Sequence, residues 1–248
     1  MKIAVCIKQV PDTETRVQID SEKNWIKESN VTFVLNPYDE FAVEEALKIK
    51  EKNGGEVILV CLGSERSISA IRTGLAMGAD RAIHIKENRI LNGLSVAKAL
   101  AEILKGMNCD LILLGKQAVD DDNMQVGPML AELMNLPSIT VVTKLEIADS
   151  KVLAEREIEG GLEIVEAELP AVITAQKGLN EPRYPSLRGI MMAKKKPVEE
   201  VELQIPDSEI EILNMEYPEP RPEGKIVGEG PDAVKELVRL LKEEAKII

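Results

Sequence analysis

The chain has 248 residues, 44% of them hydrophobic, enough for one large or two small domains with a sizeable core. A net charge of −12, no sustained basic stripe and only 2% aromatic residues argue against nucleic-acid binding. No apolar run approaches the roughly 18 residues of a membrane span, and Met1 to Val5 begins a strand at once instead of a signal-peptide layout, which implies a cytoplasmic or matrix-like compartment.

Lys2 to Lys8 reads as the first strand, bounded by Gln9-Val10-Pro11-Asp12. Val17 to Asp20 and Trp25 to Ser29 read as a short inserted hairpin. Asn36 at the cap and Pro37 at the first helical position open a helix from Tyr38 to Lys52. Its Ala42, Val43, Ala46, Leu47 and Ile49 recur at helical spacing, and Gly54-Gly55 ends it. Glu56 to Leu62 is a strand closed by Gly63, Glu65 to Gly78 a helix, Arg81 to Ile85 a strand and Leu94 to Lys105 a helix. Strand and helix alternate with short connections up to Met134. That pattern implies α/β architecture: a parallel, doubly wound sheet with helices on both faces.

The stretch from Asp110 to Leu130 concentrates the chemistry. Leu111 to Leu114 is short enough for a buried parallel strand, Gly115 ends it, a polar loop runs from Lys116 to Asn123, and a helix spans Gln125 to Met134. A strand that turns at a glycine into a helix start is where open α/β sheets place ligands, and the helix start offers free N–H groups to an anion. No GxxxxGK[ST] or GxGxxG motif occurs. Two readings of Asp120, Asp121 and Asp122 stand: they cap a helix and face water, or they flank a ligand. Three carboxylates repel phosphate, so a nucleotide here must lean on main-chain N–H groups. Cys6, Cys61 and Cys109 read as buried reduced thiols. His84, the single histidine, cannot build a zinc site or a Ser-His triad.

Beyond Met134 the pattern changes. Ile139 to Ile147, Lys151 to Ile158 and Leu162 to Leu169 alternate apolar and polar residues, as half-exposed antiparallel strands do, with a Gly160-Gly161 turn. Pro170 interrupts, and Ala171 to Ala175 is a buried strand. Residues 176–197 are rich in Pro, Gly and basic residues; Leu187 there lies in no periodic element. Val198 to Ile205 reads as a last strand. Residues 206–230 read as an acidic, Pro- and Gly-bearing linker, and Pro231 to Lys246 as an amphipathic helix. That helix is either an arm reaching another surface or a helix folded back on its own sheet. The domain expectation is residues 1–205 as one unit and 206–248 as an arm.

Four stretches, in order, carry a resemblance. They are VCIKQVPD at 5–12 with LNPYDE at 35–40; TGLAMGADR at 73–81; LGKQAVDDD at 114–122; and REIEGGLE at 156–163, followed by LPAVITA at 169–175 and LNEPRYP at 179–185. Together they make the chain similar, end to end, to the beta subunits of electron transfer flavoproteins. The resemblance implies an adenine nucleotide alpha hydrolase-like fold with an antiparallel extension and a C-terminal arm that embraces a partner. It implies a carrier subunit rather than an enzyme, forming a heterodimer with an alpha subunit that holds most of the redox-active FAD. The beta subunit's own cofactor in most members is AMP.

By resemblance the nucleotide contacts Cys6, Asn36, Pro37, Tyr38, Asp39, Leu62 and the loop Gly115, Lys116, Gln117, Ala118, Val119, Asp120, Asp121, Asp122, Asn123, Met124, Gln125 and Val126. Cys6 and Leu62 would flank the adenine ring; the main chain of Gln125 and Val126 would meet the phosphate. The segment Arg183, Tyr184, Pro185, Ser186, Leu187, Arg188, Gly189, Ile190, Met191 and Met192 matches the family's partner-recognition loop. There Leu187 is expected to anchor in an apolar pocket of acyl-CoA dehydrogenase-type flavoproteins, the alternative being a leucine tucked under its own loop. Arg188 and Lys194 to Lys196 are expected to steer acidic partner surfaces or to be simply solvated. Where many members carry a lysine this chain has Met192, so modification of that lysine does not carry over. Bifurcating members hold a second FAD in place of AMP and handle NADH. Val10-Pro11-Asp12-Thr13 and Val126-Gly127-Pro128 look like those members, whereas Glu159 to Glu163 and Asn180 to Lys196 look like the simple carriers, and AMP is the favoured expectation. A stand-alone adenine-nucleotide-binding sensor would leave residues 176–197 and the arm without a role.

Overall fold

In the computed structural model, which describes residues 1–20, 25–221 and 223–248, the apolar runs become strands and the amphipathic stretches helices. β1 (Lys2–Ile7), β2 (Gln9–Pro11), β3 (Ile19–Asp20), β4 (Trp25–Ile26) and β5 (Phe33–Leu35) precede α1 (Pro37–Asn53). β6 (Glu56–Gly63), α2 (Ile68–Met77), β7 (Arg81–Lys86), α3 (Gly93–Met107), β8 (Leu111–Gly115) and α4 (Val126–Met134) follow. Next come β9 (Ser138–Ala148), β10 (Lys151–Ile158), β11 (Gly161–Glu168), β12 (Ala171–Ala175), α5 (Leu187–Ala193) and β13 (Val198–Val201). The chain divides into two units, Met1–Leu213 and Asn214–Ile248. The second unit holds α6 (Val234–Glu243), whose Val234, Leu237 and Val238 are exposed while Leu240 is buried.

The first unit is built on a nine-stranded sheet, counted among the described residues, in the order β11-β10-β9-β12-β8-β1-β6-β7-β13. β12, β8, β1, β6, β7 and β13 pair in parallel. Alternate strand residues enter two separate cores. Ile3, Val5 and Ile7 pack with Val43 and Leu47 of α1 and Ile71 and Leu75 of α2. Ala4 and Cys6 pack with Leu100 and Leu104 of α3 and Leu130 of α4. Helices therefore cover both faces, and strands buried on both sides read as unbroken apolar runs. From β1 the chain moves outward through β6 and β7, then returns to place β8 on β1's other side. The winding direction reverses between β1 and β8, the point at which open α/β sheets place ligands outside the carboxyl ends of the strands.

Several expectations need correction. Gln9 to Asp12 bounds the first strand but also holds one of its own: Gln9–Pro11 forms β2, antiparallel to β5, a three-residue pair too short for periodicity to reveal. The hairpin strands shrink to β3 and β4, and its turn, residues 21–24, lies outside the described residues. The 65–78 helix opens with a 3₁₀ turn, Glu65–Ser67. β9 is not simply antiparallel: it pairs in parallel with β12 through Ile139 and Val142, and antiparallel with β10 over Val142 to Ala148. Its first half joins the parallel sheet and its second half founds the extension. β13 stops at Val201, paired with Ile85, because β7 ends one residue later; Ile205 still packs in the core beyond it. The terminal α-helix is shorter than expected, Val234–Glu243, preceded by a 3₁₀ turn at Pro231–Ala233. Cys6 and Cys61 are buried, but Cys109 is partly exposed at the start of β8, and all three are free thiols. Among the described residues no helix is long and apolar enough to cross a membrane, and no group of three or more His, Cys, Asp or Glu side chains is placed to hold a metal ion.

Candidate functional site

The carboxyl ends of β1 and β8 are tied together by one buried side chain. Asp39, in the first turn of α1, accepts the Lys8 N–H on Oδ2 at 2.7 Å and the Gly115 N–H on Oδ1 at 3.0 Å. These amides lie just past the end of β1 and at the end of β8, the two strands at which the winding reverses. Burial pushes the Asp39 carboxyl up to about 7, against the lowering pull of Asn36, the two backbone N–H groups and the Lys8 ammonium. Gly115 is needed at this crossing: a Cβ there would lie 2.5 Å from Asp39 Oδ1 and 2.7 Å from the Tyr38 carbonyl carbon.

Asn36 is fully buried beside it. It stands at the N-cap position of α1, where its carbonyl accepts the Asp39 and Glu40 N–H groups. Its side chain does not cap the helix. Nδ2 donates to the Gln117 carbonyl at 2.9 Å and Oδ1 accepts the Val119 N–H at 3.2 Å. That side chain is thus spent on the main chain of the loop after β8. Asn36 N–H also donates to the Lys8 carbonyl at 3.0 Å, and Lys116 N–H to the Ala175 carbonyl at 2.9 Å. Residues near 8, 36–39 and 115–119 are one hydrogen-bonded assembly, from which the chain runs through 120–125 to α4.

Three aspartates in that loop posed an electrostatic objection, which their contacts reduce. Lys8 Nζ lies 2.8 Å from Asp120 and 3.2 Å from Asp121. Burial works to lower the Lys8 ammonium, but these two carboxylates outweigh it and raise its pKa. Asp122 accepts from Gln117 Nε2 at 2.5 Å. The Lys116 ammonium sits over the Tyr38 ring, 5.1 Å from its centroid. Asp122 and Met124 take left-handed backbone angles, φ 49° and 55°; for Met124 especially this is strain of the kind that collects at ligand clamps. The exposed run Asp120 to Gln125 ends at α4, where Gln125 occupies the N-cap without placing its side chain on the helix. Pro128 lacks an N–H, so Val126 and Gly127 supply the forward donors. Gly127 lets α4 approach the sheet, since a Cβ there would collide with the Thr174 methyl group.

Cys6 and Leu62 belong to the same face of the sheet as α4, Cys6 buried and Leu62 partly exposed. Burial, and then the Asp39 charge, push the Cys6 thiol pKa up, so it acts as an apolar surface rather than a nucleophile. His84, fully buried on β7, donates from Nε2 to the Gly63 carbonyl at 3.0 Å and steadies the strand end next to Leu62. From sequence alone neither Lys8 nor His84 has a role here: Lys8 is only one letter of the 5–12 stretch, and His84 only a lone histidine.

The second candidate segment, 183–192, lies elsewhere on the first unit. Leu187 is the first residue of α5, not part of an irregular loop; Ser186 caps the helix by accepting the Gly189 N–H at 3.0 Å. Seven residues are too few to show a period, although Ser186 after Pro185 is a start signal. Leu187 is 83% exposed, Tyr184 96% and Met191 70%, so Leu187 is not tucked under its own loop. Arg183 points the other way, onto α1, where it is paired with Glu44 and Glu51. Lys196 differs from the expected steering cluster too: its Nζ donates to the Leu75 and Ala79 carbonyls, and burial lowers its pKa. Lys194 and Lys195 are exposed.

Comparison with known proteins agrees with this architecture. The electron transfer flavoprotein domain model matches residues 23–206. The chain is 43% identical to "Electron transfer flavoprotein subunit beta" of Bacillus subtilis, covering the whole of both chains. It is 42% identical to the mitochondrial subunit beta of Arabidopsis thaliana over the whole of both chains, and 39% identical to subunit beta of Mus musculus over all of this chain and 99% of that one. With a family model over most of its length and relatives matched end to end, the chain belongs to the electron transfer flavoprotein family, as a beta subunit.

Proposed function

We propose that this beta subunit holds AMP as a structural cofactor at the carboxyl ends of β1 and β8 and pairs with an alpha subunit that binds most of the FAD. The observation that carries the reading is the Asp39 and Asn36 bracket at the point where the winding direction reverses, with a strained loop leading from it to a helix N-terminus. In this reading the adenine lies against Cys6 and Leu62, and the phosphate meets the main chain of Gln125, Val126 and Gly127. Pro37 and Tyr38 wall the site. The loop Gly115 to Met124 lends main-chain groups, with the carboxylates of Asp120 and Asp121 held back by Lys8. Asn36 and Asp39 act chiefly by holding that loop and the strand ends in place.

Residues 183–192 dock an acyl-CoA dehydrogenase-type flavoprotein through Leu187, and residues 206–248 form the arm that engages the alpha subunit. The pair then carries electrons between dehydrogenase and acceptor in the cytoplasm or a matrix-like compartment. Co-expression with an alpha subunit, followed by acid extraction and chromatography of the bound nucleotides, tests the cofactor. The expected result is one FAD and one AMP per heterodimer. Two FAD per heterodimer would mean a bifurcating subunit instead. A stable homodimer that ignores the alpha subunit would favour a stand-alone nucleotide sensor.

A further inference from the structure

The docking segment is a seven-residue helix with apolar side chains turned to solvent, and a helix of that length does not hold itself together in water. Something else must keep it folded. Two sets of charged side chains, drawn from α1 and α2, grip its two ends.

At the entry, Arg183 makes a fork onto buried Glu44, with Nε to Oε2 at 2.8 Å and Nη2 to Oε1 at 2.9 Å, while its own N–H reaches Oε2 at 3.1 Å. The same guanidinium makes a second fork onto Glu51, at 2.6 and 3.3 Å. The Arg183 hydrogen bonds hold the Glu51 carboxyl below its ordinary value, although Glu51 is exposed. Asn180 adds a hydrogen bond to the Phe41 carbonyl at 3.0 Å and one to Glu45 at 2.9 Å. At the exit, Arg72 of α2 donates to the Ala193 carbonyl at 2.5 Å and the Lys196 carbonyl at 2.9 Å, closing the end of α5. Lys196 returns the contact, its ammonium capping the end of α2 through the Leu75 and Ala79 carbonyls at 2.9 and 2.5 Å. Between the two grips Gly189 lies against the Ala76 carbonyl, with no room for a Cβ.

We infer that Arg183, with Glu44 and Glu51, and Arg72, with Lys196, are positioning residues that preset α5 for docking. Their charged groups are spent on one another and on this chain's own backbone. They remove the ordering cost that a loose segment would bear on each encounter, so that Leu187 meets its pocket from a fixed frame. The inference rests on the docking role proposed for Leu187.

The test uses the heterodimer with alpha subunit and its flavin, with a purified acyl-CoA dehydrogenase reduced by its acyl-CoA as electron donor. In Arg183→Gln, backbone amides of Ile190 to Ala193 are expected to exchange hydrogen about tenfold faster. The KM for the heterodimer is expected to rise about fivefold, with kcat within about twofold of the parent. Glu51→Gln, at an exposed site that puts folding at little risk, shifts both readouts the same way and less. Arg183→Lys keeps the charge but loses the forks, and falls between. Leu187→Ala is expected to raise KM while leaving exchange unchanged. Unchanged exchange in Arg183→Gln, or a fall in kcat with KM constant, overturns the positioning inference. If Leu187→Ala raises KM and Arg183→Gln does not, the inference alone has failed; if Leu187→Ala leaves KM unchanged, the docking reading has failed and takes the inference with it.

Discussion

Replacing Asp39 by Ala is expected to lower stability by about 3 kcal/mol and to empty the proposed nucleotide site. The carboxylate satisfies two amides at once, Lys8 N–H and Gly115 N–H, at the carboxyl ends of neighbouring parallel strands. Alanine leaves both N–H groups without their acceptor in a region where Asp39 itself is only 5% exposed. Each orphaned buried amide costs on the order of 1–3 kcal/mol. Asp39→Asn is expected to fall between, since its amide oxygen serves one N–H while its NH₂ confronts the other. Urea unfolding gives the stability change, and nucleotide extracted per chain gives the occupancy. A pH series separates charge from shape. The folded carboxyl titrates at about 7 against an ordinary 3.8, so it binds its proton more tightly folded than unfolded. Its contribution is therefore fully present below the ordinary value and is lost as pH rises through about 7. The parent protein should lose stability across that window relative to Asp39→Asn, which has no carboxyl to titrate.

Leu187→Ala should do the reverse: large on transfer, small on folding. The side chain is 83% exposed, so truncation leaves stability within about 0.5 kcal/mol. If Leu187 fills a partner pocket, the loss of a central apolar anchor costs about 2 kcal/mol of binding, a fall of about thirtyfold in kcat/KM with the dehydrogenase. Flavin and AMP content should not change. Stopped-flow reduction of the heterodimer by the reduced dehydrogenase reads this directly, and unaltered kinetics would remove Leu187 from the docking surface.

Much of this fold was legible because its strands are buried on both faces. Leu111 to Leu114 is a continuous apolar run and Ala171 to Ala175 is broken only by Thr174, and both form central parallel strands. The helix at 37–53 announced itself by Asn-Pro at its start and paired glycines at its end. What stayed hidden depends on long-range contact. β2 and β5 have three residues each and exist because they pair with one another. β9 looked antiparallel by alternation, yet half of it completes the parallel sheet, a choice made by β12 and not by its own pattern.

The site shows the same division. Positions such as Asn36 and Gly115 stood out, but the task of the Asn36 side chain did not. An Asn before a Pro-led helix reads as a cap, whereas here its amide is claimed by Gln117 and Val119, more than 80 positions away. Arg183 was grouped with the docking residues because the whole segment 183–192 matches the family's partner-recognition loop. Its carboxylate partner Glu44 lies 139 positions away in the sequence, and only the fold reveals that the arginine is paired with α1.

The most direct measurement is a crystal structure of the alpha–beta heterodimer with its natural nucleotide retained. The account predicts an adenosine phosphate with its base between Cys6 and Leu62 and its phosphate at the amino end of α4, over the Asp39 bracket. A nucleotide bound elsewhere on the chain, or a 116–125 loop whose side chains fill that hollow in the assembled protein, would contradict it.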